Sequence, residues 1–126
     1  MEVIFEEGDI FPTAISYSTS LIRSLIPSGV SGAYVLIKNG LPFYVGRSDT
    51  CLMSRLCSHN YMFEATHVYW EVCGTVVRSY HQECYWYTVF LEKYSLKNKI
   101  KPARPIGVEK ESPFLSGELG IILHIV

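Results

Sequence analysis

Several side chains in this sequence have the chemistry that breaking a phosphodiester bond requires. An arginine guanidinium matches phosphate with two parallel hydrogen bonds and stays charged. One carboxylate suffices to hold a magnesium ion whose other ligands are water molecules and the phosphate. A tyrosine serves as a base only where positive charge lowers its pKa from about 10. The candidates are Tyr34, Tyr44, Arg47, Arg55, His59 and Glu83.

The two tyrosines lie in neighbouring strand-like runs. Tyr34 belongs to the first run and Tyr44 to the second, with Lys38, Asn39 and Gly40 between them. An Asn-Gly pair between apolar runs is a strong hairpin signal, so we expect adjacent antiparallel strands. Arg47 follows Tyr44 by three residues, where the second strand ends.

The other candidates are assigned to helices. Arg55 and His59 are four residues apart, which places them on one face of a predicted short helix with Ser48 or Asp49 as its N-cap. Glu83 comes from a different, longer helix.

Together the six side chains predict a phosphate site. Taken alone, each tyrosine is equally compatible with an ordinary sheet position, and Arg55 is better explained as a surface helix residue. Glu83 beside Tyr80 and Tyr87 needs a partner, which the arginines or a metal ion would provide.

The ordered set resembles the GIY-YIG nuclease family, which includes homing endonucleases, repair nucleases and some restriction enzymes. The resemblance covers about residues 30 to 104. The matching residues are Gly32-Ala33-Tyr34, a spacer of nine residues, Tyr44-Val45-Gly46, Arg55-Leu56, His59 and Glu83.

The resemblance implies a small three-stranded antiparallel sheet flanked by helices. It also implies a metal-dependent endonuclease that uses Mg²⁺ (or Mn²⁺) and leaves a 5′-phosphate and a 3′-hydroxyl. DNA is the implied substrate, with RNA left open. A catalytically inactive module that binds nucleic acid or a protein partner is the alternative, and a chain this small would need a dimer, a protein partner or a structured substrate for specificity.

The resemblance also implies individual roles. Tyr34 and Tyr44 match the paired tyrosines, one of which helps deprotonate the attacking water. Arg55 matches the arginine that stabilises the pentacovalent phosphate, and Glu83 matches the magnesium ligand. His59 matches a position that orients the nucleophile or holds a phosphate.

Two positions depart from the family pattern, and two others match it only in part. Ala33 and Val45 replace the isoleucines of the family name, both with small apolar strand residues. Arg47 matches a position that is often lysine and is expected to bind phosphate. Asn98 is the best match to an asparagine that follows the glutamate helix, and it is the second expected phosphate-binding residue.

The elements that would position these residues follow from periodicity. We predict a helix over residues 12 to 26, the hairpin, a short helix, a strand over 66 to 73, a long helix over 76 to 94 and a short strand at the C-terminal end. Glu83 lies at the border of the long helix's apolar stripe. That stripe comprises Val77, Tyr80, Cys84, Tyr87, Leu91 and Tyr94.

This order describes an α+β chain of a single domain, residues 1 to 126. Its parts are an N-terminal helical extension over 1 to 29, the core over 30 to 104 and a C-terminal tail over 105 to 126. Hydrophobic residues make up 48% and charged residues 18%, which is typical of a globular chain rather than a disordered one.

The charge is unevenly distributed although the net charge is only −1. Four acids in the first nine residues leave the remainder at +3, because −1 minus −4 equals +3. A local basic stretch could contact a few phosphates, and a solvated loop is an equally good interpretation. That stretch comprises Lys97, Lys99, Lys101 and Arg104.

The sequence has no feature of a membrane or secreted protein and no typical zinc-binding spacing. No apolar run reaches the roughly 20 residues of a membrane span, and the N-terminus is acidic where a secretory signal would be positive. We therefore expect a soluble cytoplasmic chain whose four cysteines are free and buried. Zinc binding by His81 with Cys84 and by Cys57 with His59 is disfavoured, because neither spacing is typical of zinc sites.

Overall fold

A computed structural model describes residues 2–3 and 14–116 and has an α+β architecture built on one antiparallel sheet. The sheet order is β1-β2-β5-β3-β4. The predicted hairpin and third strand are present as β3, β4 and β5, but two further strands extend the sheet beyond β5, so the predicted number of three is too small. The strands are β1 (Glu2–Val3), β2 (Ala14–Ser16), β3 (Gly32–Lys38), β4 (Leu41–Ser48) and β5 (His67–Val72). The helices are α1 (Thr19–Leu25), α2 (Leu52–Cys57), α3 (Val76–Lys93) and α4 (Pro113–Ser116).

The β3–β4 hairpin turns at Asn39 and Gly40, as predicted. Both have positive φ, 55° and 80°, which is the conformation that a two-residue turn of this twist requires. A register shift between Leu36 and Ile37 interrupts the pairing, because Leu36 lies opposite Tyr44 and Ile37 lies opposite Pro42. From Leu36 to Gly32, at the end of the hairpin away from the turn, the register is regular and places Tyr34 opposite Gly46.

The predicted helix over residues 12 to 26 is wrong in its first half. Residues 14 to 16 form β2, which pairs with β5 through Ile15 and Val68. The helix begins only at Thr19, after Ser18, whose Oγ accepts a hydrogen bond from the backbone N–H of Leu21. Pairing with a distant strand overrides the local helical pattern here, so the predicted helical extension contains β1 and β2 ahead of α1.

The short helix α2 lies where the apolar pattern predicts it, but its ends differ. Cys51 is the N-cap residue, not Ser48 or Asp49; Ser48 instead accepts a hydrogen bond from the Cys51 backbone N–H. The helix ends at Cys57, so His59 lies beyond it and does not share a helical face with Arg55.

The long helix α3 is confirmed, and Thr75 caps it through a hydrogen bond from the Arg78 backbone N–H. Its buried face is rotated relative to the predicted stripe. Val77 and Leu91 are almost half exposed, at 45% and 47%. Glu83 is central to the buried face and not at its border. The buried residues are Ser79, Tyr80, Glu83, Cys84, Trp86 and Phe90.

The sheet separates two apolar clusters because successive strand residues point to opposite faces. One, called the α3 face below, contains Val35, Val45, Trp86 and Phe90, with Ala14, Ala33 and Ile37. The other, called the α2 face, contains Tyr34 and Leu36 with residues of α1 and α2. Its remaining buried members are Ile22, Ile26, Phe43, Leu52, Leu56 and Val68.

Three other predictions concern the rest of the chain. The cysteines are free, but only Cys84 is buried, since the other three are half-buried. The predicted C-terminal strand lies outside the described residues, and the described part of the tail contains α4. Among the helices of residues 2–3 and 14–116, none is long and apolar enough to cross a membrane.

Candidate active site

Tyr34 is fully buried on the α2 face, and its hydroxyl lies directly over Gly46. A Cβ added to Gly46 would lie 2.3 Å from the Tyr34 hydroxyl oxygen and 2.4 Å from its Cζ. Any side chain at this position would therefore displace the tyrosine. The glycine of Tyr44-Val45-Gly46 thus makes room for the tyrosine of Gly32-Ala33-Tyr34.

Arg55 reaches Tyr34 from α2. Its Nε donates a hydrogen bond of 3.3 Å to the Tyr34 hydroxyl, and the guanidinium is otherwise largely exposed. Burial raises the pKa of Tyr34 well above its usual range, although Arg55 opposes the shift. Burial also raises the pKa of the half-buried Tyr44. Both shifts run opposite to what a tyrosine base requires, so both hydroxyls are protonated at neutral pH.

His59 completes the aromatic part of this group. Its ring lies edge-on to Tyr34 at 5.4 Å and to Tyr44 at 5.0 Å between centroids. Nδ1 accepts a hydrogen bond from the Tyr61 backbone N–H, so the neutral ring carries its proton on Nε2. Nε2 is buried and has no hydrogen-bond partner in the described part of the chain. Burial and the nearby Arg55 charge lower the pKa of His59 to about 4.

A pocket of about 240 Å³ adjoins this group. It brings together three of the predicted residues with two lysines of the basic stretch, and no carboxylate lines it. Three cations around a small cavity are suited to an anion the size of a phosphate. The lining residues are Tyr44, Arg55, Ser58, His59, Asn60, Tyr61, Lys97, Lys99 and Ile100.

Sequence reasoning missed Tyr61 and left the basic stretch undecided between two interpretations. Tyr61 contacts Tyr44 edge-on at 5.2 Å, and Lys97 Nζ lies 5.8 Å from the Tyr61 ring centroid. The absence of acids around Lys97 and Lys99 was the available signal for the basic side of the pocket. Tyr61 gave no such signal, because it follows α2 in an irregular segment.

Arg47 and Glu83 form a separate pair on the α3 face. Arg47 Nη1 donates to Glu83 Oε1 at 2.7 Å, and Arg47 Nε donates to Asp49 at 2.7 Å. The guanidinium also lies over the Tyr80 ring, 5.2 Å from its centroid. Two carboxylates and a ring thus surround the Arg47 cation, whose predicted contact with a phosphate stays a prediction.

Glu83 is 8% exposed, and burial raises the pKa of its carboxyl group to about 7. Arg47 opposes this shift and Asp49 adds to it. The Glu83 charge acts on the pKa of both Tyr34 and Tyr44, and the Arg55 charge acts on that of Glu83. The carboxylate is therefore within electrostatic reach of the tyrosine group although it packs on the other face.

The described side chains offer a magnesium ion few ligands. Within residues 2–3 and 14–116, no group of three or more His, Cys, Asp or Glu side chains could hold a metal ion. Glu83 Oε1 is engaged by Arg47, and Oε2 receives no hydrogen bond from the described residues. One carboxylate oxygen fits a magnesium ion that keeps most of its water ligands.

Asn98 holds the basic stretch against the edge strand. Its Oδ1 accepts from the Val45 N–H at 2.9 Å, and its Nδ2 donates to the Val45 carbonyl at 2.8 Å. The Lys97 backbone N–H donates to the Phe43 carbonyl beside it. Asn98 therefore positions the two lysines of the pocket, and its predicted phosphate contact stays a prediction.

The structure thus brings Tyr44, Arg55 and His59 to one pocket, with the buried Tyr34 in contact with Arg55 and His59. Arg47 and Glu83 form their own ion pair on the α3 face. The chain was also compared with family models, curated proteins and solved structures. None of these comparisons found a match.

Proposed function

We propose that this protein is a metal-dependent endonuclease that hydrolyses phosphodiester bonds of DNA and leaves a 5′-phosphate and a 3′-hydroxyl. The observation that carries the proposal is a cationic pocket, large enough for a phosphate, that is lined by Tyr44, Arg55 and His59. The buried Tyr34 contacts Arg55 and His59. The resemblance to GIY-YIG nucleases rests on these same residues.

Arg55 has the clearest task in this proposal. Its Nε is held by the Tyr34 hydroxyl, so the remaining N–H groups of the exposed guanidinium are available to phosphate oxygens. Charge that develops on these oxygens in the transition state would be met by a cation already in place. The Nε2–H of His59 is a second donor without a partner in the described chain.

Glu83 would hold the metal ion through Oε2, with Oε1 kept by Arg47. When bound, a magnesium ion supplies positive charge and an activated water molecule. Tyr44 lines the pocket and is less buried than Tyr34, so it is the better placed of the two tyrosines to exchange a proton with that water. Tyr44 would take this role only with its pKa lowered by nearby positive charge, and Arg55 acts in that direction.

A second function is supported by a specific contact. The 2.7 Å ion pair between Arg47 and Glu83 occupies the predicted metal ligand. If that pair is permanent, the same pocket binds nucleic acid without cutting it.

The test is cleavage of supercoiled plasmid, branched DNA and single strands with Mg²⁺ or Mn²⁺. We expect the parent to cut, Arg55→Ala to lose about 10²–10³-fold in rate as for removal of one transition-state donor, and Glu83→Gln to lose at least as much. Arg23→Ala on α1 and Glu92→Gln on α3 are the matched controls, because both side chains are exposed and outside the pocket. Both controls should retain full activity.

The outcomes separate the two functions. Metal-dependent cutting that both site variants lose supports the nuclease. A folded parent that binds DNA, does not cut it with either metal and binds equally well as Glu83→Gln supports the binding module. Equal cutting by the parent and both site variants would contradict the nuclease and indicate a contaminant.

A further inference from the structure

The outer rim of the pocket combines lysines with exposed apolar side chains. We define this rim by four residues that line the pocket, Tyr61, Lys97, Lys99 and Ile100, together with Phe63, which follows Tyr61 by two residues. Phe63 is 97% exposed and Ile100 is 76% exposed, and both are among the most exposed large apolar residues of the described chain. Fully exposed aromatic side chains beside cations are the combination with which proteins bind unpaired nucleotides.

Phe63 is presented by a compact turn. The Met62 N–H donates to the His59 carbonyl at 3.1 Å, and the Glu64 and Ala65 N–H groups both donate to the Tyr61 carbonyl. Phe63 therefore lies at the tip of a hydrogen-bonded turn that begins at the pocket residue His59. Its exposure follows from this backbone geometry, which directs the ring away from both apolar clusters.

The turn and the basic stretch are joined to each other. Glu64 Oε2 lies 3.3 Å from Lys97 Nζ and 3.3 Å from Lys38 Nζ. Asn98, next to Lys97, is bonded to the backbone of β4 at Val45. The two sides of the rim are thus fixed to one another and to the edge strand, which preorganises the surface for a ligand.

The charge of the rim identifies the kind of ligand. Glu64 is shared by two lysines, so these three side chains carry a net +1, and Lys99 and Arg55 add two further positive charges. A surface patch for a protein would be served by the apolar residues alone. Cations next to a stacking ring favour a ligand with both phosphates and flat bases.

We propose that this rim is a nucleobase-stacking subsite, so that the substrate is a nucleic acid with an unpaired base next to the cleaved phosphate. The proposal rests on the nuclease function proposed above. Phe63 stacks on the unpaired base while Lys97 and Lys99 contact the flanking phosphates. A base inside a regular duplex cannot offer its face to Phe63, since both its faces are covered by neighbouring bases.

The experiment measures binding without metal, so that cleavage plays no part. Affinities for a fluorescein-labelled single-stranded 20-mer and for the matching duplex are measured by anisotropy in EDTA. A single-stranded oligonucleotide with one 2-aminopurine reports stacking through its fluorescence. The variants are Phe63→Ala and Lys99→Ala, with Ile106→Ala and Lys110→Ala as controls that are exposed and outside the pocket.

We expect tighter binding of the single strand than of the duplex. Phe63→Ala should weaken single-strand binding at least about fivefold, abolish the 2-aminopurine signal and change duplex binding less than about twofold. Lys99→Ala should lower the slope of log affinity against log salt by about 0.7 on the single strand. Neither control should change affinity or slope.

Equal losses on single strand and duplex in Phe63→Ala would overturn the proposal, and so would an unchanged 2-aminopurine signal. Failure of the parent to bind any nucleic acid would also overturn it and would leave Phe63 as a protein contact. The nuclease proposal is judged separately. Stacking without metal-dependent cutting supports the subsite and contradicts the nuclease. Metal-dependent cutting that does not depend on Phe63 supports the nuclease and contradicts the subsite.

Discussion

The two faces of the sheet treat their charged residues differently at the end of the β3–β4 hairpin. On the α2 face, Arg55 interacts with Tyr34 and Tyr44 and otherwise lines an open pocket. On the α3 face, Arg47 is enclosed by Glu83, Asp49 and the Tyr80 ring. The first arrangement leaves a cation available to a ligand, and the second satisfies it internally.

This difference shows how one strand end can serve binding and stability at once. Gly46 and Arg47 are adjacent, yet Gly46 makes room for Tyr34 on one face while Arg47 is locked to α3 on the other. Breaking the buried Arg47–Glu83 ion pair would leave an uncompensated charge, which is costly, so we expect Arg47 to be held rigidly. The exposed Arg55 has no such restraint.

The largest loss in the free energy of unfolding is expected when a buried apolar side chain of the α3 face is truncated. Phe90→Ala removes a fully buried ring and should lower the free energy of unfolding by about 3–5 kcal/mol. Leu91→Ala, one residue further on the same helix and 47% exposed, is the control and should cost less than about 1 kcal/mol. Urea denaturation measures both. Similar losses for the two variants would show that the buried face of α3 is assigned incorrectly.

A smaller effect is expected on the α2 face. Gly46→Ala forces a methyl group against the buried Tyr34 ring and should cost about 1–3 kcal/mol of stability. The same substitution in a Tyr34→Leu background should cost less, because Leu lacks the ring atoms that the methyl group would meet. A double-mutant cycle by denaturation measures this coupling. Additive effects of the two changes would contradict the close approach.

The smallest effect in the unsubstituted protein is its pH dependence, because the contributions of the two faces have opposite sign and largely cancel. Glu83 has its pKa raised from 4.5 to about 7, so its contribution to stability is present below pH 4.5 and is lost as the pH rises towards 7. His59 has its pKa lowered from 6.5 to about 4, so its contribution is present above pH 6.5 and is lost as the pH falls towards 4. Each slope is at most about 1.4 kcal/mol per pH unit.

Two variants separate these slopes. Glu83→Gln should make stability rise more steeply with pH between 4.5 and 7, and His59→Gln should make it fall across pH 4 to 6.5. Denaturation midpoints at half-unit pH intervals measure both profiles, with Glu92→Gln and His81→Gln as controls on α3. Parallel profiles for the parent and all four variants would show that neither buried group titrates as its surroundings require.

Local chemistry in the sequence predicts the elements that depend on few distant contacts. The Asn-Gly turn specifies the β3–β4 hairpin through its positive φ values, and the long apolar repeat indicates α3 to within one residue at its C-terminal end. Tyr34 contacts both Arg55 and Tyr44. The convergence expected of a nuclease also includes His59 and Glu83, whereas Glu83 does not line the pocket. The helix predicted over 12 to 26 fails because β2 gains a partner in β5 that no local pattern reveals.

The sequence by itself therefore determined which residue types are available for phosphate chemistry and which local elements carry them. Only the tertiary structure decided which of these residues meet. Glu83 packs with Arg47 on the α3 face, and His59 lies beyond α2. Tyr61, Lys97 and Lys99 complete the wall of the pocket. The physical reason is that turns and helical repeats depend on neighbours in sequence. Burial, ion pairing and pocket walls depend instead on strands and loops far apart in the chain, which meet only when the sheet is assembled.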